Sequence, residues 1–201
     1  MKIKICGLTD KREAAYLNSC RVDFAGFVLY FPKSRRNNTI SHARDIMREL
    51  SPSIMRVAVV VSPTGEQIKN IEQAGFDYIQ IHGSLPKSLL SEITLPVLRA
   101  FNVTDIAEYE KYQKNEKIAG YVFDAAKPGS GSPFDWNLVK DIPRDEKLFL
   151  LAGGLHAGNV AEAVRAVRPD GVDVSSGVEY SDRPGKDPEK IRDFVTSAKN
   201  L

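Results

Sequence analysis

The sequence predicts an α/β fold: a single-domain (β/α)8 TIM barrel over residues 1–201, with eight parallel strands closed into one sheet. Three observations carry that expectation. Short runs rich in Val, Ile, Leu, Phe and Tyr alternate with amphipathic segments, as strands buried on both faces and joined by crossover helices should. The alternation repeats eight times with small loops between, which favours closure. The length of 201 residues lies near the lower limit for such a barrel and suffices for a sizeable core. The competing solution is an open doubly wound sheet, which usually carries a glycine fingerprint after its first strand. Here the first strand ends in Cys-Gly-Leu-Thr, and the glycine-rich turns follow strands six, seven and eight.

The strand candidates, in order, are Lys2–Cys6, Asp23–Tyr30, Arg56–Val61, Tyr78–His82, Val97–Phe101, Gly120–Phe123, Leu148–Leu151 and Gly171–Val174. The helix candidates between them are Asp10–Asn18, Ser41–Leu50, Thr64–Gln73, Pro86–Glu92, Thr104–Gln113, Asn137–Asp141, Ala157–Val167 and Asp187–Ala198. Thr104 and Asp187 read as helix starts, the latter followed by Pro188 at a first-helical position. Cys20 falls in the first loop between helix and strand. His42 and His156 read as helix-entry surface residues, and Trp136 as packing a helix onto the barrel.

Composition excludes several classes of function. The net charge is +2, from 28 basic and 26 acidic residues mixed along the chain, so no basic block marks a nucleic-acid or membrane partner. No run approaches a membrane span, and the N-terminus lacks the apolar stretch of a signal peptide. Two cysteines outside any C-x-x-C pair are not a disulfide framework and fit a reducing cytoplasm. Nothing in the pattern chooses between a monomer and a homodimer.

In a barrel of this kind the chemistry sits at the carboxyl ends of the strands. Those positions hold Cys6, the loop 31–36, Gln80 to Gly83, Arg99 to Asn102, Asp124, Gly153 and Gly154, and Ser175, Ser176 and Gly177. The last two groups are the strongest physical signal. Glycines and serines at adjacent strand ends let backbone N–H groups approach phosphate oxygens. Either loop alone reads as an ordinary tight turn; together they favour a phosphate site at Gly153, Gly154, Ser175, Ser176 and Gly177. Cys6 stands at a strand end, where an inert core thiol is less expected. Period two puts Lys4 beside it, pointing into the barrel, with Ile3 and Ile5 turned outward. Strand eight neighbours strand one in a closed barrel, so Asp173 is the expected buried partner of Lys4.

The chain resembles the phosphoribosylanthranilate isomerases nearly end to end. The residues carrying the likeness are Lys-Ile-Cys-Gly-Leu-Thr (4–9), Ala-Gly-Phe-Val (25–28), Phe-Pro-Lys-Ser-Arg-Arg (31–36), Gln-Ile-His-Gly (80–83), Phe-Asp (123–124), Gly-Ser-Gly-Ser-Pro-Phe-Asp-Trp (129–136) and Leu-Ala-Gly-Gly-Leu (151–155). The tail contributes Gly-Val-Asp-Val-Ser-Ser-Gly-Val-Glu (171–179) and Gly-Lys-Asp (185–187). The resemblance implies an Amadori rearrangement of N-(5-phosphoribosyl)anthranilate in tryptophan biosynthesis, a small phosphosugar substrate, and no metal or organic cofactor. It implies Cys6 as general base, Asp124 as general acid, and Arg36 as the contact of the anthranilate end. Gln80 and His82 join Arg36 as expected substrate-binding residues, although a histidine there also serves simply as a polar strand end.

The chemistry asks for displaced pKa values. A free cysteine is roughly 3% thiolate at pH 7, and a free aspartate is protonated about one time in a thousand. Asp124 therefore needs about 4 kcal/mol of differential environment favouring its protonated form, and Cys6 needs help from a cation. The stretch Lys127 to Pro133 reads as a mobile flap that excludes water on closure. The sequence departs from the family pattern at Pro-Gly-Ser-Gly (128–131), at Arg35 where proline is common, and at His-Ala-Gly-Asn (156–159). Two other readings stay open at this point. One is a related histidine-pathway sugar-phosphate isomerase, which would place aspartate where Cys6 stands. The other is a non-catalytic phosphate-binding barrel, which would lack the acid or the base.

Overall fold

A computed structural model describes residues 1–124 and 135–200. The flap and the Pro-Gly-Ser-Gly departure lie outside these residues. Eight barrel strands run in chain order: β1 (Lys2–Cys6), β2 (Phe24–Leu29), β3 (Met55–Val61), β4 (Tyr78–His82), β5 (Val97–Asn102), β6 (Ile118–Asp124), β7 (Leu148–Leu151) and β8 (Gly171–Val174). Each pairs in parallel with its neighbours, and β1 pairs with both β2 and β8, so the sheet closes. A two-residue strand at Asn37–Asn38 extends the end of β2. The helices are α1 (Lys11–Cys20), α2 (Ile40–Met47), α3 (Gly65–Gln73), α4 (Lys87–Glu92), α5 (Glu110–Gln113), α6 (Asn137–Lys140), α7 (Val160–Val167) and α8 (Pro188–Lys199).

Period two along each strand separates two apolar layers. Ile3, Ile5, Phe27, Ile79, Ile81, Phe101, Phe123 and Val172 pack outward against the helices. Phe24, Val57, Val59, Leu98, Ala100, Val122, Leu150 and Ala152 fill the barrel interior. Polar side chains gather toward its carboxyl rim, among them Cys6, Gln80, His82 and Asp173. That rim is where the helices begin, and their caps fasten it. Asp10 and Glu13 form a capping box at α1, Thr64 and Gln67 another at α3, and Asp187 caps α8 ahead of Pro188.

Several element boundaries differ from the sequence expectation. Thr104 caps nothing, and 103–108 is a 3-10 helix followed by the short α5. The apolar residues Ile106, Tyr109 and Tyr112 recur every third position, which suits three residues per turn better than 3.6. The helix expected from Ala157 begins only at Val160. Asn159 Oδ1 and His156 Nδ1 accept the His156 and Gly158 N–H groups, satisfying them locally without helix. Cys20 is the last residue of α1, not a loop residue. His42 lies within α2, its Nε2 2.8 Å from the Thr9 carbonyl. Trp136 packs against the outer core.

Candidate active site

One cavity of about 390 Å³ opens at the carboxyl rim of the barrel. Cys6, Arg36, Gln80, His82, Asp124, Gly153, Gly154, Ser175 and Ser176 all line it. Gly177 does not. It packs against the Leu155 carbonyl so closely that a methyl there would overlap it, and so joins the β7 and β8 loops.

Cys6 ends β1 and faces inward. Two positions back, the Lys4 ammonium donates to Asp173 Oδ2 at 2.7 Å, and the register places Lys4 opposite Asp173. The buried pair expected from strand periodicity is therefore present. Gly26 on β2 makes room for it: a Cβ there would stand 2.9 Å from Cys6 Sγ and 3.2 Å from Lys4 Nζ. Burial pulls the Lys4 pKa down, but Asp173 and then Cys6 more than compensate, so the ammonium stays charged. For the thiol, burial pushes the pKa up, Lys4 pulls it back, Asp173 raises it, and Lys186 lowers it. The sum is upward. The cation that the chemistry asked for is in place, yet desolvation outweighs it, which makes a scarcer thiolate of higher basicity.

Asp124 is the last residue of β6, beside Asn102 in register. Around it the cavity is lined by Asn102, His82, Ala152 and Gly153, and among the described residues β3 to β7 contribute no cation to the lining. His82 and Gln80 face inward from β4. The Gln80 amide nitrogen lies 2.9 Å from His82 Nε2. With the amide donating, the ring proton sits on Nδ1. Burial, then the Lys4 and Arg99 charges, push the His82 pKa down to about 3, so the imidazole is neutral. Arg99 itself points outward, its guanidinium donating to the Ile81 and Gly83 carbonyls that end β4.

The glycine-serine corner lies across the rim. Gly153 and Gly154 both adopt positive φ, 86° and 65°, which turns successive backbone N–H groups in a way other residues resist. Ser175 hydroxyl donates to the Cys6 carbonyl at 2.9 Å, tying this corner to the end of β1. Arg36 donates through Nε to Glu179 Oε1 at 2.6 Å and through Nη2 to Oε2 at 3.1 Å. Glu179 also takes Arg35 and buried Lys186. Its burial alone would raise its pKa, but Arg36 and Lys186 hold the carboxyl down at about 2.

Sequence reasoning placed Glu179 and Lys186 only inside motifs and gave them no role. It grouped Asn102 with the strand ends, and Ser34 with a loop, without assigning either. The signal for Glu179 was its place at the end of Val-Ser-Ser-Gly-Val-Glu, but its partner lies 143 residues away. Among the described residues no group of three His, Cys, Asp or Glu side chains converges as a metal site.

The family model described as N-(5'-phosphoribosyl)anthranilate (PRA) isomerase matches residues 3–197. The N-(5'-phosphoribosyl)anthranilate isomerase of Bacillus cereus is 37% identical over 204 residues, covering 98% of each chain. A phosphoribosyl anthranilate isomerase solved in complex with reduced 1-(o-carboxyphenylamino)-1-deoxyribulose 5-phosphate is 33% identical, with a TM-score of 0.82 over 100% of both chains. A solved structure of monomers of the dimeric Thermotoga maritima enzyme gives 33% identity and a TM-score of 0.83, again over 100% of both chains.

Proposed function

We propose that this chain, which belongs to the N-(5'-phosphoribosyl)anthranilate isomerase family, converts N-(5'-phosphoribosyl)anthranilate into 1-(2-carboxyphenylamino)-1-deoxyribulose 5-phosphate in L-tryptophan biosynthesis. The observation that carries the assignment of roles is the shared cavity. A thiol from β1 and a carboxyl from β6 face the same space, with a glycine-serine corner and an arginine on its rim.

Asp124, protonated, gives its proton to the furanose ring oxygen. The C1–O bond opens, and the nitrogen lone pair forms an iminium at C1. That cation acidifies the C2–H bond, and the Cys6 thiolate removes the proton, leaving an enol-amine. Protonation at C1, with loss of the proton on the 2-hydroxyl, gives the ketone. One acid and one base suffice, and no electrons leave the substrate. Lys4 keeps positive charge beside the thiol.

The 5-phosphate belongs at Gly153, Gly154, Ser175 and Ser176, where paired positive-φ glycines and a serine loop offer N–H and O–H donors. Gly177 supports that corner by packing. The anthranilate carboxylate belongs at Arg36. His82 and Gln80 meet the ribose hydroxyls, His82 as a neutral donor through Nδ1. We read residues 1–201 as one catalytic domain that works without a metal or organic cofactor. It is a cytoplasmic enzyme, monomeric or homodimeric, with a small phosphosugar as its partner and neither nucleic acid nor membrane.

Turnover of phosphoribosylanthranilate, generated in situ and followed by loss of anthranilate-type fluorescence, tests this directly. Purified protein should consume it at enzymatic rates. A preparation that binds the ligand without converting it would leave only the phosphate-binding barrel, and turnover of the histidine-pathway substrate instead would move the assignment to that isomerase.

A further inference from the structure

The Gly-Lys-Asp run at 185–187 and the glutamate at 179 take no part in the proton transfers, yet they converge at the edge of the cavity. Glu179 is buried and accepts from Arg36 Nε, Arg36 Nη2 and Lys186 Nζ at 2.6, 3.1 and 3.1 Å. The Lys186 ammonium is buried too, and donates further to the Ser175 carbonyl and hydroxyl at 3.1 and 3.3 Å. The Lys186 backbone N–H is held by Glu13 Oε1 at 2.7 Å, so the N-terminal turn of α1 fixes the whole group. The Arg36 stem lies directly over Gly7, next to Cys6.

We propose that Glu179 is a positioning residue: it clamps the Arg36 guanidinium in the orientation that receives the substrate's anthranilate carboxylate, and Lys186 holds Glu179 in place. The inference rests on the reading of Arg36 as that receptor. A fork-to-fork pair uses one edge of the guanidinium and sets its plane. Among the described residues Nη1 meets no acceptor, and Arg36 lines the cavity. A free arginine would sample many rotamers before each binding event; a clamped one presents its remaining edge at once.

Charge alone argues the other way. Glu179 is an anion beside an anion receptor, so a purely Coulombic role would weaken carboxylate binding. The sign of a single measurement therefore decides. Affinity for two probes would be measured by calorimetry: reduced 1-(o-carboxyphenylamino)-1-deoxyribulose 5-phosphate and its counterpart lacking the carboxyl group. Arg36→Ala should weaken only the carboxylated probe, which tests the receptor reading by itself. Glu179→Gln should weaken the carboxylated probe roughly tenfold, leave the other unmoved, and add nothing in the Arg36→Ala background. Glu179→Asp keeps the charge but is one methylene shorter, so its carboxylate falls short of the guanidinium edge, and should weaken the same probe; it also serves if the Gln variant does not fold. Tighter or unchanged binding of the carboxylated probe in Glu179→Gln, or in Glu179→Asp should the Gln variant not fold, overturns the proposal. So does equal weakening of both probes. If Arg36→Ala discriminates between the probes and the Glu179 variants do not, the clamp fails while the receptor stands; if Arg36→Ala does not discriminate, both fail.

Discussion

The wall of the cavity built by β8, β1, β2 and their loops carries Asp173, Lys4, Arg36, Glu179 and Lys186, whereas the wall from β3 to β7 presents Val59, Val61, Gln80, His82, Asn102 and Ala152 around Asp124. The first is dense with charge, nearly all of it paired. The second is apolar or neutral. A base has to lose a proton and an acid has to keep one, and these demand opposite surroundings. Cations near Cys6 pull the thiol down, although its burial outweighs them. Among the described residues of the second wall, the lining is uncharged apart from Asp124 itself.

The largest effect tests whether each wall supplies one proton-transfer group. Cys6→Ala and Asp124→Asn should each lower kcat by roughly 10²–10⁴-fold with circular dichroism unchanged. Near-normal turnover in either variant would break the division between the walls. Next comes stability. Lys4→Met leaves Asp173 buried and unpaired, and should cost about 3–5 kcal/mol in urea unfolding, whereas pairing it with Asp173→Leu should recover most of the loss. A cost below about 1 kcal/mol would mean the pair is effectively hydrated.

On the charged wall, Arg36→Ala should raise KM roughly 10- to 100-fold with a smaller change in kcat. An unchanged KM would remove Arg36 from substrate binding. The smallest effect sharpens the contrast through acid stability. Folded His82 has a pKa near 3 against 6.5 ordinarily, so below about pH 6.5 the unfolded chain binds a proton that the folded chain refuses. Stability falls as the pH drops from there toward 3. Glu179, at about 2 against 4.5, contributes stability above pH 4.5 that is lost as the pH falls through 2. His82→Asn should flatten the curve from about pH 6.5 down to 3 and Glu179→Gln from about 4.5 down to 2, so that only the first acts above 4.5 and only the second below 3. An effect of Glu179→Gln above pH 4.5, or of His82→Asn below 3, would show that the two walls do not titrate independently.

Much of this arrangement was legible before any coordinates. The eight strands were placed within a few residues, because buried strands announce themselves by local composition. The Lys4–Asp173 pair followed from period two plus barrel closure, both of which are rules about neighbours. The region 103–113 was misread because a spacing of three looks helical until the hydrogen bonds decide its pitch. That Gly177 packs against the Leu155 carbonyl was not legible, because a glycine for backbone packing and one for ligand approach have the same sequence signature.

By itself the sequence determined the alternation of elements, which side chains face into the barrel, and which residue types stand at the strand ends. Those properties depend on residues within one turn or one strand of each other. Only the tertiary structure decided that Arg36 is clamped by a carboxylate 143 positions away, that a buried lysine stands behind it, and that the thiol's enclosure outweighs its cation. Such contacts depend on how loops meet once the sheet has closed, and desolvation depends on everything packed around a group, so neither is written in any short stretch of chain.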